Sequence, residues 1–477
     1  MDPPPQAECL VAAGLSDQLL FPTDSEYVTR NESYFDNGSK LRPTCIVQPR
    51  TGADVATALN ALSNAGQAFA VRAGGYTNRV GSNNIDGGIT IDLGLLAFVD
   101  YNHETETAFL GPGAKWQNVY DELENHGRFI GGARVGNLGV GGFLLGGGLS
   151  YYSGHCGFAC DQIAGYDVAL SNGKIIHANK QENGDLFQAL KGGSNSFGIV
   201  TRFAIKTYPI RGPLWGGVAL RPADIVPQAS EALESFTAKV VDDLASSVIF
   251  VAIYKPDLGG DGFLTMCFNT AGVEKPKAFD DFMSLPETFS SYKTGKLQDM
   301  LPFSELPLGY YNIWYTLTFK NDASIVAKAS ELLYQLARDL QGHIPSNEFN
   351  THCAFQPIPR LYTERSLESG GNILGLDAYP HDAILLQASA SVKTAELAEW
   401  VRPRVEGLVS AVRDFAGDDR LCPWIYLNYA HSSQEVFESY GPENVSRIRD
   451  VAKKYDPEGV FQRLCPGGFK VEFVDSQ

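Results

Sequence analysis

The chain has 477 residues, 44% of them hydrophobic and 19% charged, which excludes a disordered polypeptide and exceeds what one ordinary hydrophobic core holds. Lys and Arg number 38 against 55 Asp and Glu, a formal charge of −17 that argues against nucleic-acid phosphates and anionic membranes as partners. No apolar run approaches the roughly 20 residues that span a bilayer, and no Cys-x-x-Cys or i, i+4 histidine pair supports a metal site, so neither is expected.

Residues 1–39 read as a short helical lead-in followed by an irregular segment. Its first six residues are polar and Pro-rich, without the apolar centre of a signal peptide, so either the protein is intracellular or a leader has been removed. Sequons at Asn31, Asn37 and Asn444 lean toward a secretory or extracellular glycoprotein, with a cytoplasmic location left open. From Cys45 the pattern alternates: strand 45–49, helix 53–66, strands 68–72, 88–93 and 107–111, and helix 115–125. Residues 167–177 read as a hairpin in which Asn172-Gly173 predicts a type I′ turn. A helix over 185–190 and a strand over 198–207 follow. Beyond Pro213 the glycines thin out, and strands 247–254, 263–269, 311–319 and 383–391 alternate with amphipathic helices 225–244, 323–341 and 395–416. That is an α+β layout on an antiparallel sheet. The tail from Pro423 is again rich in aromatics and glycine.

Three glycine-rich segments carry the chemistry. Arg72-Ala73-Gly74-Gly75-Tyr76-Thr77-Asn78 follows a strand, and its N–H groups can cradle a pyrophosphate or form a simple tight turn. The run from Gly136 to Gly148 holds seven glycines among apolar residues, without the Gly-x-Gly-x-x-Gly spacing of a Rossmann helix; a dinucleotide can lie along such a bare backbone. Lys191-Gly192-Gly193-Ser194-Asn195-Ser196-Phe197-Gly198 is a glycine turn that runs into a strand.

Taken in order, these segments resemble the FAD-binding module of the vanillyl-alcohol oxidase and p-cresol methylhydroxylase superfamily, in its fungal berberine-bridge-enzyme-like branch. The same order includes Pro43-Thr44-Cys45-Ile46-Val47-Gln48-Pro49, Asn84-Ile85-Asp86-Gly87-Gly88, Cys160-Asp161, Tyr426-Leu427-Asn428-Tyr429, Tyr455-Asp456-Pro457 and Pro466-Gly467-Gly468-Phe469-Lys470. The resemblance implies a two-part fold. A PCMH-type FAD-binding domain would span 40–211 and take back the tail 422–477, and a substrate domain on an antiparallel sheet would span 212–421. It further implies FAD contacts from Arg72, Gly74, Gly75, Tyr76, Thr77, Asn78, Gly139, Val140, Gly141, Gly142, Gly146, Gly147, Asp161, Gly198, Ile199 and Val200. Asn428, on a C-terminal strand, would sit near the reactive face of the flavin.

Two positions depart from the family pattern. Relatives anchor the flavin covalently through a histidine where this chain has Tyr76, and some through a cysteine where it has Val135, so non-covalent FAD is expected. The family's disulfide habit suggests a Cys9–Cys45 bond, with free thiols as the competing reading. The strand 383–391 carries no carboxylate, which leaves Asp377, His381, Tyr426 and Tyr429 as ionisable candidates; a tyrosine is preferred as catalytic base. The apolar strand suggests an apolar polyketide- or alkaloid-like substrate rather than a sugar. The expected function is therefore an FAD-dependent oxidase, with O₂ as acceptor, or dehydrogenase in natural-product biosynthesis. The alternatives are a non-redox cyclase of Diels–Alder type with structural FAD, and an inactive binding protein.

Overall fold

A computed structural model of the chain describes residues 3–255 and 260–471. The N-terminal part contains two sheets. One has four strands in the order Leu19–Leu20, Cys45–Val47, Ile89–Asp92 and Phe69–Arg72; the last three run parallel. The other is antiparallel, with five strands in the order Val99–Asn102, Thr107–Leu110, Ile199–Lys206, Ile163–Ala169 and Ile175–Ala178.

The helix Gly52–Ala65 shows how local chemistry sets the elements. Thr51 Oγ1 accepts from Asp54 N–H at 3.1 Å and Asp54 accepts from Thr51 N–H at 3.0 Å, a reciprocal cap. Gly66, at φ 62°, closes the helix in the left-handed region. The Asn172-Gly173 turn departs from the expected type I′. Only Gly173 has positive φ (79°), Gly173 N–H donates to Leu170 O, and Leu170 N–H donates to Lys174 O. This is the longer loop with a left-handed glycine after the turn, and Asn172 accepts from Lys174 N–H instead of adopting the left-handed conformation.

A nine-strand sheet dominates the second half, and every pairing in it is antiparallel. Its centre is Leu214–Pro222, Gly260–Asn269, Ser246–Lys255, Phe349–Ile358, Ala383–Val392 and Tyr311–Lys320, in that order. Helices Val226–Ala238, Ala323–Gln341 and Ala395–Ala416 cover one face, where Phe250, Phe355, Leu386 and Ala388 pack against Leu333, Val405 and Val412. The period of two then turns Ile249, Val251, Leu264, Met266, Gln356 and Gln387 to the opposite face. Burial of both faces explains why these strands read as near-continuous apolar runs.

The expected Cys9–Cys45 bond is not formed: among the described residues every cysteine is a free thiol. Cys9 Sγ donates to Gln6 O at 3.8 Å and Cys45 Sγ to Ile46 O at 3.6 Å, and burial pushes the Cys45 thiol up to about 12. The two join the same apolar cluster as small hydrophobic residues, without a covalent link.

Candidate functional site

A cavity of about 560 Å³ lies between the glycine loops and the open face of the nine-strand sheet, within the size range of cofactor and substrate sites. Its floor is built by two of the loops pressed together. A Cβ on Gly74 would stand 2.6 Å from Gly139 Cα, and a Cβ on Gly139 would stand 2.8 Å from Gly74 N. Both obstacles are backbone, so neither can rotate away. Lys115 Nζ donates to Gly74 O at 2.8 Å and ties the first loop from behind. Gly142 differs: a Cβ there would meet nothing within 4 Å, because the position opens onto the cavity.

Of the residues expected at the cofactor, Gly74, Gly75, Tyr76, Thr77, Gly139, Gly141, Gly142, Gly198, Ile199 and Val200 lie together on the cavity wall. The others stand behind it. Arg72 donates to Arg30 O and to Ser33 Oγ, and its guanidinium covers the Tyr34 ring at 3.7 Å, so it braces the first loop. Asn78 donates to Asn312 O at 3.1 Å and links the loop to the large sheet. Val140 is fully buried in the core. Gly146 leaves room for Asn428, whose amide a Cβ would strike, and Gly147 lies against Leu374 and Tyr426. Asp161 accepts from Ser366, Asn372 and Phe158 N–H, a structural hub away from the cavity. Asp377 and His381 are exposed and lie off the cavity wall.

The three expected catalytic residues all reach the wall, in different states. Asn428 sits in a turn rather than on a strand, and its amide donates to Phe143 O at 3.2 Å and Tyr426 Oη at 3.1 Å. Tyr426 Oη also accepts from Gly148 N–H at 3.1 Å, and burial raises its phenol above the ordinary range. Tyr426 thus fastens the second glycine run. Tyr429 is freer. Its oxygen accepts from Arg134 Nη2 at 3.2 Å and Gln356 Nε2 at 3.1 Å, and among the described residues no group accepts its own proton.

The sheet supplies the opposite wall: Ile249, Val251, Ile253, Leu264 and Met266, interrupted by Gln356, Gln387 and His352. Burial pushes the His352 imidazole down to about 4, with Gln387 opposing as a hydrogen-bond partner, so His352 is neutral near pH 7.

A model described as an FAD binding domain matches residues 43–179. The FAD-dependent monooxygenase drtC of Aspergillus calidoustus is 33% identical over 98% of this chain and 91% of its own length. The FAD-dependent monooxygenase sdcF of Emericella nidulans is 31% identical over 96% of each. The chain belongs to this family of FAD-linked oxidoreductases. Its fold is shared with a xylooligosaccharide oxidase from Myceliophthora thermophila (TM-score 0.82, 20% identity, 98% of this chain and 99% of that one). It is also shared with the berberine-bridge-enzyme-like protein 1 of Physcomitrella patens (TM-score 0.79, 19% identity, 96% and 97%). The FAD binding domain and these relatives agree with the FAD-linked oxidoreductase expected from the motifs, and the two solved structures share its fold.

The cavity of this oxidoreductase fits the cofactor that its family name implies. Tyr76 Oη, Asn83 Oδ1, Asn195 Oδ1 and Arg79 Nε are buried on the wall without a partner among the described residues, a costly arrangement that a polar ligand relieves. Tyr76 stacks on Phe35, with ring centroids 4.1 Å apart and planes 12° apart.

Sequence reasoning missed Arg134, His352, Trp314, Gln356 and Gln387 on the wall. Arg134 had a signal: it is the one charged side chain in the apolar and glycine-rich stretch 129–149. The other four lie on strands whose orientation only the register reveals.

Proposed function

We propose that the protein is an FAD-dependent oxidoreductase that oxidises a small, largely apolar secondary metabolite, with its flavin held without a covalent bond. The observation that carries this reading is the cavity in which the paired glycine loops face the aliphatic wall of the sheet. Bound FAD supplies the two-electron acceptor. The 74–77 and 139–142 loops, Asn195 and the 198–200 segment would hold it. Ile249, Val251, Leu264 and Met266 would bind the apolar body of the substrate and exclude water from it. No cysteine lines the cavity, and the two positions where relatives attach the cofactor are Tyr76 and Val135. Tyr429 is the proton-handling residue, since Arg134 and Gln356 hold its oxygen and leave its proton free to meet a substrate oxygen.

Anaerobic mixing of the flavin-loaded protein with a panel of apolar alcohols, amines and enols tests the redox role. The expected result is bleaching of the flavin absorption by at least one class, and its restoration by O₂. A flavin band untouched by every member, together with conversion of a substrate by protein whose flavin is already reduced, would transfer the reading to a non-redox cyclase.

A further inference from the structure

The substrate side of the cavity holds one group of hydrogen-bond donors that lacks a charged acceptor. Arg134 has no carboxylate partner among the described residues. Its Nη2 donates to Gln356 Oε1 at 2.6 Å and to Tyr429 Oη at 3.2 Å, and among the described residues its Nη1 and Nε meet no acceptor. Trp314 is 5% exposed, and its indole N–H is buried without a partner. It meets Tyr429 edge-on, with ring centroids 6.4 Å apart, so Arg134, Tyr429 and Trp314 form one contiguous group. Gln356 Oε1 is already taken by Arg134; Asn350, His352 and Gln387 add neutral acceptors on the sheet, and among the described residues the one acid on the wall is Glu305, to which Asn137 donates at 3.4 Å.

Arg134 is half-buried and has no carboxylate partner among the described residues, so its guanidinium leaves a positive charge beside an aliphatic wall that an anion would complete. The donors left open among the described residues are Arg134 Nε and Nη1, a phenol O–H and an indole N–H, and an oxygen rich in lone pairs can accept from several of them. A neutral hydroxyl would use one of them; an oxyanion uses several at once, with charge-assisted bonds to arginine.

We propose that Arg134, Tyr429 and Trp314 form an oxyanion site, so that the substrate of this cavity is an apolar molecule carrying an acidic oxygen, either an enolate or a carboxylate. The proposal rests on the substrate reading given above and adds the chemical class of the substrate. Arg134 supplies the charge, Tyr429 donates the proton that no group among the described residues accepts, and Trp314 donates its indole N–H. Gln356 holds Arg134 and Tyr429 in register by accepting from one and donating to the other. The aliphatic residues of the sheet take the rest of the molecule.

The test is a binding titration of the flavin-loaded protein, followed by perturbation of the flavin absorption. The probes are benzoate against benzamide, and dimedone enolate against its O-methyl enol ether. The oxyanions are expected to bind about tenfold or more tightly than their neutral counterparts, the scale of hydrogen bonds to charged groups. Arg134→Met is expected to remove that gap while retaining flavin. Arg134→Lys keeps part of it, because the charge survives without the fork. Trp314→Phe narrows the gap and provides a second reading that leaves the arginine untouched. A larger gap for dimedone assigns the site to enolates and a larger gap for benzoate assigns it to carboxylates. Equal binding of charged and neutral probes, or a gap that survives in Arg134→Met, overturns the proposal. Protein that carries no flavin at all would instead overturn the function proposed above.

Discussion

Gly139→Ala is expected to strip the protein of flavin and destabilise it, whereas Gly142→Ala strips the flavin and leaves the fold intact. The alanine Cβ at 139 would lie 2.8 Å from Gly74 N, and relief requires the two loops to part along their backbones. Overpacking of this kind costs on the order of 1–3 kcal/mol. It also widens the surface on which a cofactor would lie. At Gly142 the added methyl meets no protein atom within 4 Å and projects into the cavity, so it competes with the ligand alone. Flavin content and thermal midpoint, measured on both variants, separate the two effects. A Gly139→Ala protein with full flavin and an unchanged midpoint would show that the close approach of the loops has no part in binding. A Gly142→Ala protein with full flavin would place the cofactor elsewhere.

Tyr429→Phe is expected to slow the reduction of bound flavin by about 10² to 10³, the range for loss of one proton-handling or charge-stabilising group. That corresponds to roughly 3–4 kcal/mol in the barrier. Removing the hydroxyl also leaves Arg134 Nη2 with only Gln356 Oε1 at 2.6 Å, so the guanidinium loses one of its two protein acceptors. Tyr426→Phe serves as the contrast. The Tyr426 hydroxyl holds Gly148 N–H and the Asn428 amide, and its loss is expected to reduce flavin retention and stability more than the reduction rate. Stopped-flow reduction of each variant, with flavin loading measured beforehand, checks both. Equal rates for Tyr429→Phe and the parent protein would remove Tyr429 from the chemistry.

The parts of the fold written in local chemistry were legible in the sequence. The Thr51–Asp54 cap and Gly66 bound a helix whose extent follows from spacing alone, and the helices Ala323–Gln341 and Ala395–Ala416 match their expected limits. Two long strands were not legible, each for a physical reason. Leu214–Pro222 is punctuated by Gly216, Gly217 and a terminal proline, which interrupt the alternation that marks a strand. The structure needs the glycines because a Cβ on Gly217 would stand 2.7 Å from Ser291 O. Phe349–Ile358 turns Asn350, His352 and Gln356 toward the cavity, so functional polarity broke the apolar pattern that marks its neighbours.

The site follows the same division. The glycines declare themselves by composition, and the structure brings eleven of the expected cofactor residues, Asn428 included, to one wall. Arg72, Asn78 and Asp161 stand behind that wall as supports, and nothing in a sequence distinguishes a residue that touches a ligand from one that braces the loop touching it. Arg134, Gln356 and Tyr429 lie far apart along the chain and meet only when the second glycine run, the large sheet and the C-terminal turn close on each other.

An absorption spectrum of the purified protein, taken before and after acid precipitation, tests the central claim most directly. The protein is expected to carry about one FAD per chain, released into a yellow supernatant over a colourless pellet, as Tyr76 and Val135 imply. Colour retained in the pellet would contradict the non-covalent attachment. Absence of flavin from both fractions would contradict the assignment of the cavity itself.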